Sequence, residues 1–461
     1  MVAPLGEAAG PFGQRGLPRL AAAPGGSGTP RLREGRAGSG AGGQPAGHPR
    51  FRTLGGGLRE GCVERRRPPL RRGAGALAGR VSNSRAERRG EPRRATGLYV
   101  HVPLCVSRCC YCAFATTTEL ALRSRIVAAL AQEIHALGAR AGRRLATLYL
   151  GGGTPSLLLP EELDAIVGAV ERHFSFPPGA ERTIEANPED VSRERLRRWG
   201  QLGFTRVSLG VQSFDDAMLR RLGRRHDAAT ARRAAAAALD AGFVVSVDLM
   251  LGLPGEGDGA LRSVAEVVAL APHHVSVYLL ELDKPTALAR EAAADPAAFP
   301  GDEAAARSYL AAGRMLVAAG YRHYEISNFA RPGHMARHNL GTWRGRTLLA
   351  AGPGAAGHAG RRRFANVEDV NRYLACLEGG GSPRAWSRRL SPDELHRERV
   401  MLGLRLARGV EEERLATLPV PAFFERLADF LALGLARRRD GRVRLTPRGW
   451  LVSSELLAYV V

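Results

Sequence analysis

The stretch His101-Val-Pro-Leu-Cys105-Val-Ser-Arg-Cys109-Cys110-Tyr111-Cys112-Ala-Phe-Ala115 holds four of the chain's six cysteines within eight residues. The run before it, Gly97-Leu-Tyr-Val-His-Val102, is apolar, alternating and β-branched, the pattern of a strand. The thiols therefore fall on a loop at a strand's end. Cys105, Cys109 and Cys112 form C-x3-C-x2-C, three thiolates that can converge on one point from a single loop. A four-iron, four-sulfur cube ligated by only three cysteines keeps one iron open to a substrate or cofactor, whereas a fourth thiolate would leave a cluster that only passes electrons. Disulfides between such close neighbours would be strained, and nothing else in the chain suggests an oxidising compartment. A structural zinc site shows a second thiol or imidazole pair, and none lies downstream. Cys110 as a ligand would change the spacing to C-x4-C-x1-C and is read as a spare thiol in the wall; Cys62 and Cys376 stand alone.

Working outward, the 461 residues suffice for a large α/β domain and a smaller one. A net charge of +22 and a pI near 11.0 would ordinarily raise nucleic acid as a partner. Residues 1–96, however, carry 19 Arg against 6 Glu, which is +13 of the +22, and lysine occurs once, at Lys284. The remainder is only mildly basic, so no nucleic-acid partner is expected. No apolar run reaches the roughly 18 residues of a membrane span; a soluble chain is expected, with peripheral membrane association left open. Residues 1–95 are rich in Gly, Pro, Ala and Arg without periodicity, and disorder is expected there. Their Arg-rich, acid-poor character allows a mitochondrial transit peptide, although Gly and Pro interrupt any amphipathic helix. A cytoplasmic location is expected, with a mitochondrial one as the alternative.

From Gly97 strands alternate with helices. Strands are read at Leu145–Leu150, Thr183–Ala186, Arg206–Val211, Val244–Met250 and His274–Leu279, and helices at Leu120–Leu137, from Pro160, at Arg193–Leu202, Ala228–Ala241 and Ala260–Leu270. Six strands alternating with helices predict a parallel sheet with right-handed crossovers; composition does not separate a partial barrel from an open doubly wound sheet. Beyond about residue 325 the alternation breaks. Ser391-Pro-Asp-Glu394 is a capping box, and Asp440-Gly441 between alternating runs is a hairpin signal, so helix, helix, hairpin suggests a winged-helix module.

The residues LYVHVPLCVSRCCYCAF, numbers 98–114, resemble the signature of the radical S-adenosylmethionine superfamily, and YVHVP resembles its branch of anaerobic coproporphyrinogen III oxidases and HemW-type haem chaperones. The resemblance covers 97–461. It implies an α/β fold, a partial (β/α)6 TIM-type barrel over residues 96–325, and a C-terminal winged-helix-like α+β domain over 326–461. It implies a [4Fe-4S] cluster on Cys105, Cys109 and Cys112, with S-adenosylmethionine at the open iron. For that cofactor it implies Tyr99 and Tyr111 as lining, Gly152, Gly153 and Thr154 after the second strand, and Glu185, Gln212, Arg224 and Asp248 as polar contacts. Each candidate sits at a strand end, where barrel sites form; the glycines are expected to let backbone N–H groups reach the cofactor.

Within the superfamily, the oxidase carries a further cysteine where this chain has Phe114, which favours the HemW side. HYEISNFARPGHMARHNLGTW, numbers 323–343, also resembles HemW, whose HNxxYW motif is linked with haem; here Thr342 replaces the aromatic and His338 is the candidate iron ligand. In LAAGPGAAG, Ala356 stands where a histidine is usual. The function implied is a haem chaperone passing haem to haem-accepting apo-proteins, with radical decarboxylation of coproporphyrinogen III as the alternative.

Overall fold

The computed structural model describes residues 96–139 and 143–460. The disorder expected for residues 1–95 lies outside the described residues. Six strands, Thr96–Val102, Arg143–Gly152, Glu181–Ala186, Arg206–Gln212, Val244–Leu251 and His274–Leu279, lie side by side in chain order, all parallel. The helices Arg123–Gly138, Pro160–His173, Arg193–Gln201, Ala228–Asp240 and Gly259–Leu270 return the chain between them. The sequence reading placed these elements to within about three residues, but it missed three helices, Asp216–Arg221 among them and, after the sixth strand, Ala287–Ala294 and Asp302–Ala318. The short helix Asp216–Arg221 starts where the Asp215 side chain accepts from the Met218 amide, an N-cap with too few residues behind it to show a period.

Each strand's alternation divides its side chains between two environments. Leu98, Val100, Leu148, Leu150, Ile184, Val207, Leu209, Val245, Val247, Leu249, Val275 and Val277 form one core with Ile126, Leu130, Ile134, Leu163 and Ile166 of the helices. Burying each such side chain contributes about 1.5–3 kcal/mol, which is what holds helices to sheet. The intervening residues are mostly polar: Thr147, Glu181, Thr183, Glu185, Arg206, Ser208, Ser246, Asp248, His274 and Ser276. A parallel strand covered by packed side chains on both faces would read apolar throughout. The inner face is thus built to meet polar groups.

The sheet does not close. Beyond the first strand, Leu348–Ala351 adds one more parallel strand, followed by the antiparallel Ala356–Ala359, Arg362–Asn366 and Arg384–Arg389. Beyond the sixth, Asn328–Ala330 pairs antiparallel and Arg322–His323 ends that side. The boundary expected at residue 325 therefore falls inside a continuous sheet. A second core gathers Ile326 with Val400, Leu404, Phe423, Phe430, Val443 and Trp450, and the chain stitches it to the barrel where Ile326 N donates to Arg405 O and Ala407 N to Tyr324 O, each at 3.0 Å.

That C-terminal module begins as read. Ser391 Oγ accepts from Glu394 N at 3.1 Å, and Ser391 N donates to Glu394 Oε2 at 2.6 Å, closing the capping box ahead of helix Pro392–Leu404. Helix Pro421–Ala432 follows, then the hairpin Ala436–Arg439 and Arg442–Leu445. Its turn holds Asp440 at φ 53° and Gly441 at φ 66°, the two left-handed positions that select Asp-Gly. Among the described residues no helix is long and apolar enough to cross a membrane.

The amino end of the barrel is plugged by helix Arg337–Trp343. Glu181, the first residue of the third strand, accepts from the backbone amides of His338 at 2.9 Å and Arg337 at 3.2 Å. Arg206, first in the fourth strand, lies 3.2 Å from Glu181 and donates to His334 O at 2.9 Å. Both side chains are buried; paired and bonded to backbone, they meet the condition for charges away from water.

Candidate cluster and cofactor site

The cysteine loop leaves the first strand at its carboxyl end and is pinned at both flanks. Cys105 N donates to Thr117 O at 3.0 Å and Thr117 N to Pro103 O at 2.8 Å. Val106, Ser107, Arg108, Ala113 and Phe114 are exposed while the four cysteines are half-buried. Cys110 is the anchor: its N donates to Leu222 O at 3.2 Å, its O accepts from Leu288 N at 3.0 Å, and its thiol turns to Arg221 O at 3.5 Å. Cys105, Cys109 and Cys112 are close enough that each of the other two disfavours ionisation of Cys105. Burial is the larger effect, pushing the Cys105 thiol up to about 11, while the Thr154 hydroxyl and Arg224 oppose it. Among the described residues no three His, Cys, Asp or Glu side chains converge closely enough to hold a single metal ion. Three thiols on one loop with an arginine beside them suit a larger, multi-iron group.

Arg224 organises this mouth. Nη1 donates to Cys109 Sγ at 3.5 Å, and Nη2 donates to both Asn187 Oδ1 and Gly210 O at 2.6 Å. Asn187 in turn donates from Nδ2 to Thr154 Oγ1 at 3.4 Å, and Thr154 Oγ1 lies 3.6 Å from Cys105 Sγ. A polar chain thus runs from Cys109 through Arg224, Asn187 and Thr154 to Cys105, and Arg224 Nε is left buried without a partner. Gln212 joins it from a bulge at the end of the fourth strand, where its φ of 71° is unusual for a residue with a side chain. A Cβ on Gly210 would stand 3.3 Å from Gln212 Nε2 and 3.5 Å from Arg224 Nη2, so the glycine keeps that corner open. Tyr111 feels the charge of the same arginine, while burial, the larger effect, raises its phenol above the usual range.

Below lies an acidic layer. Glu185 accepts from Tyr149 Oη at 2.6 Å and Gly152 N at 3.0 Å, and Asp248 accepts from Ser208 Oγ at 3.3 Å. Burial raises both carboxyls above the usual carboxylate range, and Asp248, less strongly, further disfavours the charge on Glu185. Partly desolvated carboxylates of this kind accept hydrogen bonds from hydroxyl and amine groups of a ligand strongly.

One expectation needs correction. The amides of Gly152, Gly153 and Thr154 are not available to a cofactor: Gly152 N is taken by Glu185, Gly153 N by Val102 O at 2.8 Å and Thr154 N by Leu104 O at 2.7 Å. The glycines are there because the turn packs against the cysteine loop. A Cβ on Gly153 would lie 2.6 Å from Leu104 O, and one on Gly152, at φ 110°, 2.5 Å from the His101 ring.

His101 and Asn187 were missed in sequence. His101 Nε2 faces Ala115 O at 2.8 Å and must donate, so the neutral ring accepts at Nδ1 from Tyr99 Oη at 3.0 Å. Burial holds its pKa down at about 4. The signal for it was the pairing of a histidine with a distant glycine, which is invisible in one dimension. Tyr99 is thereby tied to His101, and its ring centroid lies 6.0 Å from that of Tyr149. His338 is not brought to this mouth at all. Its ring is buried at the amino end, Nδ1 2.9 Å from Thr147 Oγ1 and centroid 4.9 Å from that of Tyr149, and burial holds its pKa at about 4.

The radical SAM superfamily profile matches residues 99–268, and that of the HemN C-terminal domain matches residues 390–452. The heme chaperone HemW of Mycobacterium tuberculosis is 40% identical over 373 residues, spanning 79% of this chain and 95% of that protein. HemW of Bacillus subtilis is 32% identical, over 78% and 97%. The bovine radical S-adenosyl methionine domain-containing protein 1, mitochondrial, is 36% identical, over 77% and 75%. Coproporphyrinogen III oxidase (HemN) of Escherichia coli, a radical SAM enzyme, shares the fold at a TM-score of 0.69 and 24% identity, covering 80% of this chain and 90% of that one. With a polar-lined parallel barrel, a three-cysteine loop at its mouth and relatives matched over nearly their whole length, the chain belongs to the HemW family of radical SAM proteins.

Proposed function

We propose that this protein is a haem chaperone that carries a [4Fe-4S] cluster on Cys105, Cys109 and Cys112, binds S-adenosylmethionine and haem, and passes the haem to haem-accepting apo-proteins. The observation that carries the reading is the polar chain tying Cys109 to Cys105 through Arg224, Asn187 and Thr154 above the buried Glu185 and Asp248. When bound, such a cluster supplies an open iron with affinity for a chelating cofactor. The chain's own groups do the rest. Glu185 and Asp248 accept from cofactor hydroxyl and amine groups, Gln212 and Arg224 present donors at the rim, and Tyr111 shields the cluster from water. Gly152, Gly153 and Thr154 shape the turn, and Tyr99 acts through His101.

His338 is assigned to haem with a structural condition: its ring is buried against Thr147 and Tyr149, so a haem iron reaches it only if helix Arg337–Trp343 swings outward. The compartment is cytoplasmic in this reading; a mitochondrial one is the alternative, since the bovine relative and others bear that name and residues 1–95 are Arg-rich. The test is anaerobic incubation of reconstituted protein with S-adenosylmethionine, reductant, and either haem plus an apo-haem protein or coproporphyrinogen III. Haem absorbance should move to the acceptor and the porphyrinogen should persist. Turnover of the porphyrinogen without haem binding would replace the chaperone by the decarboxylase.

A further inference from the structure

On the C-terminal module three arginines crowd one carboxylate. Arg442 Nη1 pairs with Glu411 Oε1, Arg408 Nη2 lies 3.5 Å from the same oxygen, and Arg414 Nε is 3.9 Å from Oε2. Ion pairs elsewhere run nearer one to one, as in Arg125–Glu378, Arg198–Asp164, Arg232–Glu266 and Arg363–Glu398. Glu412 on the same turn is occupied by Arg438 at 3.1 Å. Counting charges, the three guanidiniums and Glu411 leave two positive charges over, and Arg344 at the end of helix Arg337–Trp343 adds to the field felt by Arg408.

The crowding is built into the backbone. Gly409 sits at φ 64° with no room for a Cβ, which would fall 2.0 Å from Val443 O, so the turn is pressed against the hairpin. Arg442 is fastened there, Nε donating to Arg408 O at 2.9 Å and Nη2 to Gly409 O at 3.1 Å. The backbone of Arg408 is thereby held against the Arg442 guanidinium. Its guanidinium is held below the usual range, by partial burial first and by Arg442 and Arg344 next. Arg408 and Arg414 remain 53% and 45% exposed, within reach of a ligand. Like charges held together cost stability unless an anion neutralises them, and guanidinium forks are matched by several oxygens on one centre. A single carboxylate is already present and leaves an excess; a dianion balances it.

We propose that Arg408, Arg414 and Arg442 form a binding site for a phosphate dianion, either a soluble phosphate or the monoester phosphate of a lipid headgroup. This goes beyond the haem reading and does not depend on it. The test is thermal unfolding of the full chain in phosphate against chloride at equal ionic strength and pH, with flotation on phosphatidic acid and phosphatidylcholine vesicles. At phosphate ten times its Kd the unfolding midpoint should rise by about 2 °C. Arg408→Gln with Arg414→Gln should abolish the rise, and Glu411→Gln, which removes the internal competitor, should enlarge it. Capture on phosphatidic acid alone, lost in the double arginine variant, assigns the lipid source; a rise in inorganic phosphate without vesicle capture assigns the soluble one. Equal midpoints in phosphate and chloride with no vesicle capture, or either effect surviving in the double variant, would overturn the proposal.

Discussion

The two ends of the barrel are built from the same strands and made opposite in character. At the amino end Glu181, Arg206, Thr147 and His338 are buried and meet one another, and a helix covers them. At the carboxyl end the thiols stay half-exposed, Arg224 Nε has no partner, and Gln212 is held in a left-handed conformation. The difference teaches where to look for chemistry: satisfied polar groups stabilise, and incompletely satisfied ones at a strand-end mouth are positioned for a ligand.

The comparison can be broken most decisively at the thiols. Anaerobic reconstitution should yield roughly four irons per chain; replacing Cys105, Cys109 or Cys112 by Ala should each remove essentially all of them, whereas Cys110→Ala should retain them. Iron lost in Cys110→Ala and kept in one of the others would move the ligand set. At the opposite end the effect should fall on stability and not on iron. Arg206→Met leaves Glu181 buried without its counter-ion and should cost about 3–5 kcal/mol in urea unfolding, with native protein still binding cluster. A variant of unchanged stability would show that the amides of Arg337 and His338 suffice for Glu181.

The acidic layer between the ends should respond in a third way. Glu185→Gln and Asp248→Asn should weaken S-adenosylmethionine binding by about 10- to 100-fold, the worth of a hydrogen bond to a charged group, with iron content unchanged. Iron loss in both folded variants would make these carboxylates supports of the loop.

The smallest effect is in pH dependence. Burial lowers His338 from the usual 6.5 to about 4. Between those values the unfolded chain takes up a proton that the folded one refuses, so this residue makes stability fall as pH drops from about 6.5 to 4. Glu325, fully buried and pushed up to about 7, works the other way: the folded state holds its proton from about 7 down to the usual 4.5 and gains stability over that range. Only the difference between wild type and His338→Asn isolates the histidine. The variant should show the shallower acid loss in urea midpoints taken from pH 7 to 4; parallel curves would mean that the ring titrates normally.

Much of this was legible in the chain. The six strands could be read because their outward positions, such as Val245, Val247 and Leu249, carry β-branched and apolar residues at a period of two. The cluster loop was legible because four cysteines fell together, and the hairpin because only Asp-Gly or its kin satisfy two left-handed positions in succession. The strands Leu348–Ala351 and Asn328–Ala330 were not read as sheet members, since at three or four residues they have no period to detect.

By itself the sequence determined the local matters: which segments extend or coil, where the thiols cluster, and which face of each strand is apolar. Those depend on neighbours along the chain and on residue chemistry. Only the tertiary structure decided that His338 lies at the far end from the thiols, that the amides of Gly152 to Thr154 are spent on backbone and on Glu185, and that Asn187 links Arg224 to Thr154. Each joins groups tens to hundreds of residues apart, Thr147 to His338 for instance across 191 positions. A hydrogen bond forms by distance and angle in space, and spacing along a chain carries no record of either.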